Sequence, residues 1–241
     1  MFYWRTIMPR IARPIDFFRV WSPEMAYVLG YWWADGCMYI KPSTTAHEVK
    51  FASKDRVHLD LIAQVIGQIH HTRPVTKGSD CYDMAYCSKE MYNDLLALGG
   101  TPHKSRTTTM PEVPRHLLPH FVRGCVDGDG TLVWNGDRPV VQLYSASSAL
   151  LAGLGEEVAA VTGIPAPHIV ANRELYYIKW STIRAKCLAA WLYVEHPGLA
   201  LERKAAIAAT FLHWQPKKRP ERGTITEEMR VQFCAYLPPQ E

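Results

Sequence analysis

Apolar positions along the chain recur with two periods, and the alternation between them orders the sequence. The run SPEMAYVLGYWWADG predicts a helix from about Pro23 to Ala34: Ser22 suits the N-cap, Pro23 suits the first helical position, and Gly36 stands just past the end. Two alternating segments follow, about 37–41 and 48–53, joined by the polar turn PSTTA, and they read as a hairpin. Between Lys54 and Ile69, Val57, Leu61, Val65 and Ile69 repeat every four residues, with Ile62 and Ile66 widening the stripe. This predicts an amphipathic helix with that face in the core. A second hairpin turning at residues 77–80 and a short helix in SKEMYNDLLALGG complete a series: helix, hairpin, helix, hairpin, helix.

After the proline-rich linker TTTMPEVPRHLLP the series recurs. FVRGCVDGDG is helical in pattern, with Pro119 tolerable only in a first turn, where amide donors are free anyway. A hairpin around Asn135-Gly136-Asp137, a helix near Ser148 to Val161, a hairpin at Asn172-Arg173 and helices near Thr182 to Val194 and Leu199 to His213 follow. The chain therefore reads as a diverged internal duplication. Asp35-Gly36 corresponds to Asp129-Gly130, and Phe51-Ala52-Ser53 to Leu143-Tyr144-Ser145; the separation from Asp to Ser is 18 residues in the first half and 16 in the second, a difference of hairpin length.

Small residues fall at matched places in the two repeated helices, Gly30 and Ala34 in one, Gly124 and Gly128 in the other. Residues four apart share a helix face, and bare faces let two backbones approach, so each helix is the expected partner of the other. Each ends in Asp-Gly, with the glycine expected as a left-handed cap. Asp35 and Asp129 then stand at the negative end of the macrodipole, where a carboxylate is disfavoured by about 0.3–1 kcal/mol. A single Asp-Gly would read as a turn entering a hairpin. Two in register suggest instead that parallel helices bring both carboxylates together, which requires a shared proton or a cation; oxygen ligands select a hard ion such as Mg²⁺. A calcium loop is a poor fit, since twelve-position counts from Asp127 or Asp129 end on Arg138 or Val140 rather than glutamate. Asp127 is expected to hydrogen-bond locally rather than to ligate.

Composition narrows the class. The chain has 241 residues, 48% of them hydrophobic, enough for one large or two small cores, and a formal charge of +4 that permits a polyanionic partner. Six scattered cysteines without a CxxC indicate neither a disulfide framework nor a zinc site and fit a reducing, intracellular location. Arg5 and Arg10 interrupt the N-terminal apolar run, so no signal peptide is expected, and no stretch approaches the ~20 apolar residues of a membrane span. No phosphate loop or nucleophile signature points to a small-molecule enzyme.

VLGYWWADG (Val28 to Gly36) and VRGCVDGDG (Val122 to Gly130) resemble the nine-residue motif of the LAGLIDADG homing endonucleases, keeping its glycine in third position and its closing Asp-Gly. The bulky Tyr31, Trp32 and Trp33 depart from it, and tryptophans there would anchor the first helix in its own half. The resemblance spans about residues 22–212. It implies an α+β fold of two pseudo-symmetric αββαββα halves, each with a four-stranded antiparallel saddle sheet, joined by parallel-packed motif helices. The boundaries expected are a basic N-terminal arm at 1–21, halves at 22–110 and 119–213 with a linker at 111–118, and a basic tail at 214–241.

The resemblance further implies a monomeric, site-specific double-strand DNA endonuclease that leaves short 3′ overhangs. Asp35 and Asp129 would bind two or three Mg²⁺ or Mn²⁺ ions shared at the pseudo-dyad. Lys104 and Lys204 match positions where the family keeps a polar residue near the metals, with Arg203 an alternative to Lys204 and a solvated helix charge the alternative to both. Ser53 and Ser145 are outer candidates, also explicable as helix N-caps. Two-residue steps from the aspartates would turn Tyr39, Lys41 and Lys50 in the first half and Asn135, Arg138 and Gln142 in the second toward the groove, and the other two hairpins offer Arg73 and Lys77, and Asn172, Arg173, Tyr177 and Lys179. Arg5, Arg10, Arg13, Arg19 and PKKRPERG would add phosphate contacts. The other reading of the same scaffold is an RNA maturase acting on group I intron RNA, or a DNA-binding regulator, without nuclease activity. The opening Met and the lack of a closing His-Asn favour free-standing or intron-borne expression in a microbe, a phage-infected cell or an organelle.

Overall fold

The computed structural model describes residues 16–67, 72–76, 78–102, 106–216, 225–233 and 235–237. Helix α1 (Pro23–Asp35) starts where its cap predicts, with the Ser22 hydroxyl accepting from the Met25 amide. Strands β1 (Cys37–Ile40) and β2 (His47–Ser53), helix α2 (Arg56–Ile66), strands β3 (Arg73–Pro74) and β4 (Tyr82–Cys87) and helix α3 (Lys89–Ala97) complete the first half. After a short 3₁₀ turn at Arg115–Leu117, α4 (Leu118–Asp129) carries Pro119 in its first turn. Strands β5 (Gly130–Asn135) and β6 (Arg138–Ser145), α5 (Ser148–Thr162), β7 (Val170–Asn172), β8 (Leu175–Ser181), α6 (Ile183–Ala190) with a π-helical continuation at Trp191–Glu195, α7 (Glu202–Leu212) and α8 (Glu227–Gln232) follow.

Each half holds a four-stranded antiparallel sheet with the same topology, β1-β2-β4-β3 and β5-β6-β8-β7. The register aligns the halves residue for residue: Cys37 pairs with Lys50 as Thr131 pairs with Gln142, so Ser53 and Ser145 are equivalent. One face of each sheet turns Met38, Val49, Phe51 and Met84, or Leu132, Val141, Leu143 and Ile178, into the core beneath the helices.

Helices α1 and α4 run parallel in contact. A Cβ built at Gly30 would lie 2.0 Å from the Phe121 carbonyl oxygen, one at Gly124 2.1 Å from that of Tyr27, and one at Gly128 2.6 Å from the Ala34 Cβ. Matched glycines thus set the distance between the halves, as the spacing predicts. Trp32 is buried in its own half against Gly36 and Gly100, whereas Trp33 donates to the Thr109 carbonyl at 2.9 Å and crosses the interface to meet the Phe121 ring edge-on.

Four local expectations are corrected. Gly36 and Gly130 are extended (φ −83° and −93°), not left-handed; glycine is needed there because a Cβ would strike the Trp32 ring at 2.1 Å and the Val126 carbonyl at 2.4 Å. Helix α2 buries His58, Leu59, Ile62, Ala63 and Ile66, leaving Val57 73% and Leu61 43% exposed. The buried face gathers Leu59, Ile62, Ala63 and Ile66, and His58 at its start is satisfied by Tyr27; Ile69 lies outside the described residues. Ser53 and Ser145 are not N-caps: each accepts from the amide two residues on, and the caps are Asp55 and Ser147. Finally, 214–241 is not all tail. Met229 and Phe233 are fully buried, and Thr226 donates to the Gly163 carbonyl, so α8 packs on the second half. At the other end, Phe18 is buried and Arg19 pairs with Asp94 at 3.0 Å; Arg5, Arg10, Arg13 and residues 217–223 lie outside the described residues.

Candidate nucleic-acid interface and carboxylate centre

Asp35 and Asp129 are the last residues of the two contacting helices. The Asp35 Oδ2 lies 3.6 Å from the position of a Cβ on Gly128, the residue before Asp129, so the two aspartates stand on adjoining helix ends. Asp129 lines a recess of about 210 Å³ with Trp33, Ala34, Thr108, Tyr144 and Ser145. The Thr108 hydroxyl in its wall is buried without a hydrogen-bond partner among the described residues. Two carboxylates beside hydroxyls form an all-oxygen donor set, and no group of three or more His, Cys, Asp or Glu suited to a metal occurs among the described residues. This fits a hard divalent cation that takes one or two protein carboxylates and completes its shell with phosphate oxygens and water.

Lys204 is buried, and its ammonium donates at 2.7 Å to each of the Val126, Asp127 and Gly130 carbonyls. These are carbonyls that the end of α4 leaves short of partners, and the cation offsets the negative helix terminus carrying Asp129. All three ammonium donors are used, so Lys204 acts as a cap that positions Asp129 rather than as a group free to meet substrate. Burial lowers its pKa to about 8, against the pull of Asp127, Asp35 and Asp129. Arg203, its alternative, reaches across to Asp55 of the first half at 3.0 Å. Lys104 lies outside the described residues.

Asp127 bonds over long distances, not locally. It accepts from the Tyr27 hydroxyl at 2.8 Å, the Tyr193 hydroxyl at 2.7 Å and the Leu201 amide at 2.8 Å, joining α1, α4 and the segment before α7. Because the one proton of Tyr27 goes to Asp127, the His58 Nε2, 2.8 Å from the Tyr27 oxygen, must carry the hydrogen of that contact. Burial pushes the His58 pKa down to about 4 and keeps the ring neutral. Arg123, also buried, donates to the Leu199 carbonyl at 2.7 Å and to those of Leu192 and His196, pinning α4 to its own half. Neither network is visible in the sequence, since each partner lies more than 65 residues from Arg123 or Asp127 except neighbouring His120.

The outer faces of the sheets differ. In the first, strand register puts Tyr39, Glu48, Lys50 and Asp83 on one face. Glu48 accepts from Tyr39 and pairs with Lys41; Asp83 pairs with Lys50 at 2.9 Å and Arg73 at 3.4 Å. Burial alone would raise the Glu48 pKa, but the Lys41, Tyr39 and Cys87 contacts outweigh it and hold the group below its usual value. In the second, Thr131, Gln142 and Lys179 align across three strands, Tyr144 packs against Tyr177 at 5.7 Å, and Val133 and Leu175 are exposed. Asn135 and Arg138 flank the β5/β6 turn and Asn172 and Arg173 the β7/β8 turn, where Arg173 is left-handed (φ 56°). Lys77 lies outside the described residues. Sequence reasoning missed Glu48 and Asp83; Glu48 was within reach, two residues from Lys50, but Asp83 joins the face only through β2–β4 pairing.

Paired parallel helices ending in aspartates, each feeding a saddle half, define the two-motif LAGLIDADG fold, and this chain has it. The homing endonuclease I-DmoI in complex with DNA and calcium aligns over 79% of this chain and 98% of its own at a TM-score of 0.56 and 15% identity. The same enzyme with DNA and manganese aligns over 72% and 98% at 0.53 and 15%. The N-terminal LAGLIDADG domain of DUF199/WhiA aligns over 80% and 92% at 0.53 and 13%. No protein-family model and no curated protein matches the sequence. No helix among the described residues is long and apolar enough to cross a membrane.

Proposed function

We propose that the protein is a divalent-metal-dependent, site-specific endonuclease for double-stranded DNA. The observation that carries this is the placing of Asp35 and Asp129 at the ends of two glycine-spaced helices, between two sheets whose outer faces bear polar and charged side chains. Asp35 and Asp129 would hold Mg²⁺ or Mn²⁺, which when bound activates water and stabilises the leaving 3′ oxygen. The chain's own contribution is placement. Lys204 fixes the end of α4, the Asp127 network locks α4 against α1 and α7, and the recess beside Asp129 gives room for a phosphate oxygen or ordered water. On the sheets, Lys50, Arg73, Gln142, Asn172 and Lys179 supply donors and acceptors for base edges, while Val133 and Leu175 suit thymine methyls. The two faces differ in chemistry, which favours a poorly symmetric site read by a monomer.

The test is cleavage. The purified protein with Mg²⁺ or Mn²⁺ should cut sites selected from a randomised duplex library, with chelation abolishing the cut. Asp35→Asn and Asp129→Asn should each lose cleavage by about 10²–10³-fold, the scale of removing one electrostatic stabiliser, while still binding the selected site. Binding without cleavage in either metal would replace this reading with the maturase or regulator on the same scaffold.

A further inference from the structure

The first sheet carries an acidic pair in the middle of its outer face, and the second does not. Glu48 (4% exposed) and Asp83 (7%) lie on the face with Lys50, and among the described residues each carboxylate is shared by two cations or hydroxyl donors of that face. Lys41, Lys50 and Arg73 give three positive charges there, and Glu48 and Asp83 return two negative ones. The equivalent face of the second sheet, traced through Thr131, Gln142, Tyr144, Tyr177 and Lys179, has no acid at those positions.

A lysine or arginine bound to a buried carboxylate is not equally available to every anion. Swinging Lys50 and Arg73 toward phosphates would strand Asp83 in a poorly solvated place, and moving either alone would leave it half-paired, which is costly, whereas meeting a base edge head-on leaves the pairs intact. Random-sequence DNA offers mainly phosphates; a matched site offers base edges as well.

Resting on the reading that these sheets bind DNA, we propose that Glu48 and Asp83 are specificity-determining residues. They hold Tyr39, Lys41, Lys50 and Arg73 as a pre-oriented reading surface and suppress phosphate-only binding by the first half. The second sheet, where the strand residues paired with Arg138 and Lys179 are Asn135 and Gln142 rather than acids, supplies the general electrostatic grip.

The experiment measures affinity for a randomised-sequence duplex and for a selected site, without divalent metal, across about 50–200 mM salt. Asp83→Asn should bind the randomised duplex more tightly, with a log–log salt slope steeper by about 0.9 for each cation released, and discriminate less between the two duplexes. Glu48→Gln should do the same through Lys41. Lys50→Met alone should leave the randomised-duplex slope unchanged, and added to Asp83→Asn it should cancel part of the gain. Thermal melting checks that each variant is folded; should Asp83→Asn not fold, the unchanged slope of Lys50→Met still tests the idea. The inference is overturned if Asp83→Asn and Glu48→Gln leave random-duplex binding unchanged or weaker, or if Lys50→Met by itself flattens the slope by about 0.9. A wild-type protein that binds neither duplex overturns the DNA reading as well, whereas one that binds both with unaltered variants overturns only this role for the acids.

Discussion

Gly124→Ala places a methyl where the fold has backbone. Its Cβ would stand 2.1 Å from the Tyr27 carbonyl oxygen and 2.7 Å from the Tyr31 amide nitrogen, about 1.3 Å inside the 3.4 Å of ordinary contact. Both obstacles belong to a regular helix and cannot rotate aside, so α1 and α4 must separate by about an ångström. Over-packing costs about 1–3 kcal/mol in cores that can adjust, and this site should reach the upper end, about 3 kcal/mol. For a chain of this size that lowers the melting temperature by about 6–12 °C. The functional loss should be larger than stability alone predicts. The same separation moves Asp129 away from Asp35, and a misplacement of about 1 Å near a reacting centre costs about 100-fold. Thermal melting and single-turnover cleavage of a selected site, at a temperature where the variant remains folded, measure the two effects. Gly67→Ala, at the end of α2, is the control: its φ of 80° strains an alanine by about 1–2 kcal/mol, but nothing lies near its Cβ, and cleavage should be unaffected. A Gly124→Ala protein as stable and as active as wild type would refute the claim that helix contact sets the carboxylate geometry.

Other substitutions test the supporting residues. Lys204→Met leaves the Val126, Asp127 and Gly130 carbonyls without their ammonium, and denaturant melts should show a loss of about 3 kcal/mol; Lys204→Arg should not restore it, because a planar fork does not converge on three carbonyls. Asp127→Asn replaces an acceptor of three hydrogen bonds by a group with only one oxygen and should cost about 2–3 kcal/mol in the same assay. His58, depressed in the fold to about 4 from 6.5, resists a proton that the unfolded chain accepts; stability is full above 6.5 and falls as pH drops toward 4. The loss from pH 7 to pH 5 through this group is about 2 kcal/mol, and His58→Gln, which keeps a donor for Tyr27 but does not titrate, should flatten the pH dependence by that amount. Identical pH profiles for the two proteins would show that His58 is not the responsible group.

The duplicated pattern made the architecture legible because helix and strand periods, prolines and Asp-Gly ends are local signals repeated in register. The same repetition singled out Asp35 and Asp129, and matched glycines disclosed which helix faces meet, since only a bare face admits another backbone. The face of α2 was not legible: two apolar stripes compete on it, and the buried one includes His58, whose partner Tyr27 lies on another helix. Lys204 looked like a charge near the metals, yet its surroundings are three carbonyls that only the closing of α7 over α4 presents. The sequence by itself determined the elements, their doubling and the two carboxylates. Tertiary structure decided which charges are spent internally, Lys50 and Arg73 on Asp83, Lys41 on Glu48 and Arg203 on Asp55. Charge pairing depends on distance in space, and strand register and helix packing bring together residues that periodicity cannot relate.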